Sequence, residues 1–235
     1  MNRKFICVMF LISLSILSIF QIVLDYTFDT ERCNTTALSK SKSQEYLIYI
    51  EVEDKTLYLL QNGKCIKNYL IVSGKSGLPS PLGMWKIVEK DNWGEGFGGS
   101  WMGINAPWGK YGIHGSLPGD AMGIADSQGC IRMKNDEVAE LYDIVPYGTP
   151  VIIVNGSFGP FGQAFAQIYP GDRGADVYAI QERLKGLGFF KGWVSGIYEE
   201  ELKNALHRFQ RAENLPVTNT ITKQAWEAMG FKEFQ

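Results

Sequence analysis

The sequence predicts a multidomain chain with an N-terminal transmembrane helix, a mainly-β, sandwich-like domain and a small all-α domain of three helices. Three observations carry this. Residues 5–24 hold no charged side chain. Between residues 46 and 154, short apolar runs alternate with turn residues and only one clear helical stripe appears. From residue 168 onward the apolar residues recur at helical spacing instead. The chain has 235 residues, 45% of them apolar, enough for two modest cores. Its net charge of −2, without long runs of like charge, excludes the clustered basic surface of a nucleic-acid binder.

Residues 1–4 form a short tail carrying Arg3 and Lys4. Phe5 to Leu24 is long enough to span a bilayer once as a helix. Cleaved secretory signals have shorter apolar cores and end in a small-x-small site, which Ile22-Val23-Leu24-Asp25-Tyr26 does not offer. The expectation is an uncleaved signal anchor, with Arg3 and Lys4 on the cytoplasmic side and all that follows outside. Residues 25–45 are rich in Ser, Thr, Lys and Asp and read as a flexible stalk.

Tyr46 to Ile50 is an apolar run suited to a buried strand. Thr56 to Leu60 follows, then Asn62-Gly63, a strong hairpin signal, and a third strand from Cys65 to Ser73. Gly74-Lys75-Ser76-Gly77 lacks the earlier glycine of a phosphate loop. Ser80-Pro81-Leu82-Gly83 turns into a strand through Met84-Trp85-Lys86-Ile87. Asp91 to Tyr111 is glycine-rich and loop-like and interleaves Trp93, Phe97, Trp101, Trp108 and Tyr111. These aromatics either wall a substrate cleft or belong to the core, and Trp93 and Phe97, set among glycines, are the better cleft candidates. Asn135 is a good N-cap for a helix whose apolar face is Val138, Leu141, Tyr142 and Val145. Thr149 to Val154 closes the domain, which runs over residues 46–154.

Residues 155–167 read as a linker. Val177, Ile180, Leu184 and Leu187 make one helical stripe, Leu202, Ala205, Leu206 and Phe209 a second, and Ala225, Trp226 and Met229 a short third. Residues 168–231 are therefore expected to form a three-helix domain. His207 lies off the apolar stripe of its helix and is expected at the surface without a catalytic role.

The chemistry concentrates between His114 and Asn135. His114, one of two histidines, lies sixteen residues before Cys130, one of four cysteines. A thiol attacks well only as thiolate, and a nearby imidazole is the usual means of making one near neutral pH. Gly129 permits a sharp turn before the nucleophile. Successive N–H groups in such a turn can converge on one anion. The other cysteines add no framework: Cys7 lies in the expected span, and nothing in the spacing pairs Cys33 with Cys65. One His and one Cys fall short of the four ligands of a zinc site, so no metal is expected.

The pattern His114-Gly115, then Ser127-Gln128-Gly129-Cys130-Ile131-Arg132-Met133, then Asn135 resembles the active-site signature of L,D-transpeptidases with a YkuD-type catalytic domain. Pro81-Leu82-Gly83-Met84-Trp85 is similar to the same family upstream of its active site. The family's usual Ser-His-Gly-Cys reads Ser-Gln-Gly-Cys here. Further on, Tyr169 to Val177, Ile180-Gln181, Leu187-Gly188, Gly196-Ile197-Tyr198, Phe209-Gln210 and Leu215-Pro216 together resemble the peptidoglycan-binding domain 1 family.

The resemblance implies a wall enzyme on the outer face of a bacterial cytoplasmic membrane. Its partners are peptidoglycan stem peptides and glycan, and no cofactor is implied. Cys130 acts as nucleophile and His114 as base. The Gly115 carbonyl orients His114, and N–H groups of Gln128, Gly129 and Cys130 hold the oxyanion. Ser127, Trp93 and Phe97 are expected against the substrate. Arg132 either binds a substrate carboxylate or pairs within the protein. Two other outcomes stay open: a hydrolase of the same fold, and a wall-binding protein crippled by the loss of the second histidine at Gln128.

Overall fold

The computed structural model describes residues 45–116, 121–156, 161 and 165–231. The expected anchor over residues 5–24 and the stalk up to residue 44 lie outside them. Among the described residues, no helix is long and apolar enough to cross a membrane.

The first domain is built on strands β1 (Tyr46–Glu51), β2 (Thr56–Gln61) and β3 (Lys64–Leu70). Asn62 and Gly63 join β2 to β3 with φ of 51° and 78°, the left-handed pair that a two-residue hairpin turn requires. Next come β4 (Ser73–Gly74), β5 (Gly83–Asp91), β6 (Trp101–Ile104), β7 (Tyr111–Gly115), β8 (Ala125–Ser127) and β9 (Ile131–Met133). Helix α1 (Asn135–Ile144) and strand β10 (Pro150–Val154) complete the domain. Eight strands form one sheet in the order β3-β2-β1-β10-β5-β6-β7-β9, and β4 pairs with β8 in a two-stranded ribbon. The domain is mainly β as expected. The sandwich is not two comparable layers, because β10 returns beside β1 and so joins both halves into one sheet. The stretch read as loop between Asp91 and Tyr111 holds β6, and Trp101 and Trp108 within it are buried.

Alternation places Ile48, Ile50, Leu57, Leu59, Ile87, Ile113, Val151 and Ile153 on the inner face, all fully buried. Val138 and Leu141 of α1 close that core.

The second domain holds α2 (Ala175–Gly186), α3 (Glu200–Ala212) and α4 (Lys223–Ala228). Val177, Ile180 and Leu184 meet Leu202, Leu206 and Phe209 around buried Trp226, so this domain has its own core. Thr222 caps α4 by accepting the Ala225 N–H. The domains are not separate beads. Gln44–Gln235 is one structural unit, and Ala175, Tyr178 and Ile197 pack on the first domain's core.

Candidate active site

Strand β7 carries the site. It pairs in parallel with β9, with Ile113 opposite Ile131 and His114 opposite Arg132. Cys130, the residue before β9, is thereby brought beside Gly112. The Gly112 N–H donates to the Cys130 sulfur. Gly112 and His114 are two residues apart on one strand, roughly 7 Å at the usual rise. Thiol and imidazole, sixteen residues apart in sequence, are thus neighbours along β7.

His114 is buried and fixed. Its Nδ1 lies 2.7 Å from the Gly115 carbonyl oxygen. A carbonyl can only accept, so Nδ1 carries a proton, and in the neutral ring the lone pair then lies on Nε2. The imidazole is therefore held in the tautomer a general base needs. Phe97 presents its edge to the ring at 5.0 Å, and Trp101 lies at 5.7 Å.

Burial pushes the Cys130 thiol above its ordinary range, while the Gly112 N–H and the Arg132 charge pull the other way. The resting sulfur is protonated near neutral pH, so a base must remove the proton as the sulfur attacks.

The turn before Cys130 is made by Ser127. Its hydroxyl accepts the Gly129 N–H at 3.0 Å and donates to the Cys130 carbonyl at 2.5 Å. Ser127 is 0% exposed, so the expectation that it contacts substrate is corrected: its hydroxyl is consumed in shaping the turn. The same bond removes the Gly129 N–H from the expected oxyanion donors. Gly129 has φ of 111°, and a Cβ there would lie 2.7 Å from the Tyr111 ring, so only glycine fits. Gln128 is exposed at the rim of this turn. Arg132 is half-buried, and its charge reaches the thiol.

The two aromatics set among glycines meet each other edge to face, with centroids 5.1 Å apart. Phe97 lies on the imidazole, whereas Trp93 lies a layer behind it, stacked on Trp101 with centroids 4.1 Å apart and planes at 6°. Lys110 sits over the Trp93 ring at 4.0 Å and is paired with Glu89.

One site residue was misread in the sequence. Asn135 opens α1, but its side chain does not cap it. Its Oδ1 accepts the Ser116 N–H at 3.0 Å. Gly98 and Gly115 crowd this amide so closely that a Cβ on either would lie within 2.4 Å of Oδ1. Asn135 thus ties the chain leaving His114 to the start of α1. The only sequence signal was its position three residues after Arg132.

His207 lies in the other domain, half-buried, with Nε2 2.9 Å from Asn219 Oδ1. Among the described residues no His, Cys, Asp and Glu cluster could hold a metal.

The fold and site define a mainly-β domain in which a half-buried thiol, an imidazole held at Nδ1 and a glycine turn lie along one strand pair. Residues 45–153 match the L,D-transpeptidase catalytic domain YkuD, and residues 173–229 match a peptidoglycan binding domain. L,D-transpeptidase YkuD of Bacillus subtilis (strain 168) is 40% identical over 109 residues, covering 46% of this chain and 65% of that protein. L,D-transpeptidase YqjB of the same organism is 30% identical over 125 residues, covering 46% of this chain and 71% of that one. The solved catalytic domain of the E. faecium L,D-transpeptidase aligns with a TM-score of 0.41 at 26% identity, covering 48% of this chain and 99% of that one. The chain belongs to the L,D-transpeptidase family. It spans just under two thirds, 65%, of the YkuD relative.

Proposed function

We propose that the protein cross-links peptidoglycan through an acyl-enzyme on Cys130. The observation that carries this is the seating of the Cys130 sulfur against Gly112, two residues from an imidazole held at Nδ1 by the Gly115 carbonyl. In the first step His114 Nε2 takes the thiol proton as sulfur attacks the carbonyl of the third residue of a tetrapeptide stem. The Cys130 N–H, joined by that of Gln128, faces the developing oxyanion. The tetrahedral adduct collapses to a thioester, and His114 gives its proton to the leaving nitrogen of D-alanine. In the second step the amine of another stem attacks the thioester. It surrenders a proton to His114, and the thiol is restored with a 3→3 cross-link made. Neither step needs a cofactor.

The helical domain supports a wall-bound role through its similarity to peptidoglycan binding domains. The apolar stretch at residues 5–24 supports a single-span anchor, with both domains on the outer face of a bacterial cytoplasmic membrane.

The test is a mass spectrum of products after incubation with a purified tetrapeptide stem. A 3→3 dimer with released D-alanine is the expected result, absent from Cys130→Ser. Tripeptide alone marks a hydrolase, and unchanged stem marks a binding protein.

A further inference from the structure

The helical domain packs against the wall that supports the nucleophile turn. Tyr178 of α2 meets Trp85 at 5.5 Å and Trp108 at 5.8 Å between ring centroids. Trp85 and Trp108 meet each other edge to face at 5.2 Å. Gly196 of the helical domain approaches Trp108 so closely that a Cβ would lie 2.3 Å from its ring. Gly174, at the head of α2, donates to the Gly196 carbonyl at 2.9 Å, and Arg173 bridges to Ile197. Trp108 is therefore clamped from the second domain by two contiguous segments.

Trp108 in turn meets Tyr111, the first residue of β7, at 6.4 Å. Tyr111 lies directly on Gly129, leaving no room for a Cβ, with the Pro79 carbonyl 3.1 Å from the same point. The Tyr111 phenol feels groups of both domains. Burial pushes it up, Arg173 and the Trp108 indole N–H pull it down, and Cys130 pushes it up. A continuous packed path thus runs from the helical domain to the residue before the nucleophile.

We infer that the helical domain is part of the catalytic apparatus: Tyr178 and Gly196 brace Trp108, Trp108 braces Tyr111, and the Tyr111 ring fixes the Gly129 turn that presents Cys130. This rests on Cys130 being the acylated nucleophile. It goes beyond tethering, because a tether affects only substrates held in the wall. A positioning domain affects attack on any electrophile, including a small soluble one. Tight packing transmits such a displacement, and a shift of about 1 Å at a reacting group can cost about a hundredfold in rate.

The test uses the full chain and a soluble carbapenem. Stopped flow gives the acylation rate constant, and mass spectrometry of the intact protein gives the fraction acylated. Tyr178→Ala should lower the rate constant about tenfold or more while the fraction acylated stays complete and binding to purified sacculi stays within twofold. Tyr178→Phe, which keeps the ring contacts, should restore the wild-type rate within about twofold. An incomplete fraction acylating at the wild-type rate would mark mere destabilisation and overturn the inference, as would an unchanged rate. Should Tyr178→Ala not fold, Trp108→Phe decides by the same two readouts. Absence of acylation in the wild-type protein would instead remove the Cys130 reading, and this inference with it.

Discussion

At the scale of single residues, the departure at Gln128 sets the sharpest expectation. A glutamine amide hydrogen-bonds but neither takes nor gives protons near neutral pH. In the proposed mechanism His114, held at Nδ1 by the Gly115 carbonyl, carries every proton transfer alone. His114→Gln should slow acylation by a carbapenem by about 10²–10⁴-fold, the range for losing a general base. Gln128→His should change it by less than about tenfold, roughly 1.4 kcal/mol of barrier. Gln128 is exposed and Ser127 already shapes the turn, so the side chain at 128 has no proton-transfer duty. A thousandfold gain from Gln128→His, read by stopped flow, would mark the natural protein as a crippled enzyme. The thiol adds a pH test. Burial favours its neutral form, so thiolate appears only as pH rises. In His114→Gln, alkylation of Cys130 by iodoacetamide should climb with a midpoint above the ordinary thiol value of 9.0. Replacing Arg132 with Gln removes an opposing charge, so the midpoint should move higher still; a fall would refute the charge's role.

At the scale of elements, the site depends on where β7, β9 and α1 begin. Asn135→Ala would leave the Ser116 N–H without its acceptor, at about 1–3 kcal/mol if it stays unsatisfied. The expected outcome is a lower melting temperature together with slower acylation, because the strand end carrying His114 and Gly115 is released. Acylation at the wild-type rate in the folded fraction would confine Asn135 to stability. These elements also show what the sequence discloses. The Asn62-Gly63 hairpin, the face of α1 and the three helical stripes are local patterns and are found, except that Leu187 falls just past its helix and is exposed. The His114–Cys130 pair was legible as two reactive residues near one glycine turn. The consumption of Ser127, the true contact of Asn135 and the stacking of Trp93 on Trp101 were not. Each depends on strands paired across long stretches of chain, and side-chain partners there follow register, which no local period reveals.

At the scale of the molecule, the second domain has a core of its own and a contact with the first. Its own core, which Phe161, Phe165 and the Ala166 carbonyl complete around Trp226, predicts that a fragment from Phe161 to Gln235 folds, and its similarity to peptidoglycan binding domains leads us to expect that it co-sediments with purified sacculi. A folded fragment that stays in the supernatant would remove the wall-binding reading. The surface that joins the domains was invisible in the sequence, where Tyr178 and Ile197 look like ordinary members of a helical motif.

The placing of β10 between β1 and β5 has a consequence for how the chain acquires its structure. Ile48 pairs with Val151, about a hundred residues later, near the middle of the main sheet. The hairpin of β1 to β3 and the strands from β5 onward can each form early. They remain two half-sheets with open edges until the last strand arrives. Closing so long a loop is entropically costly and slow, and the exposed edges invite mispairing meanwhile. A nascent chain released before Pro150 has every reactive residue and no enzyme. The thiol can meet Gly112 on β7 before then, but it does so on a half-sheet whose β5 edge stays open until residues 150–154 pair with it.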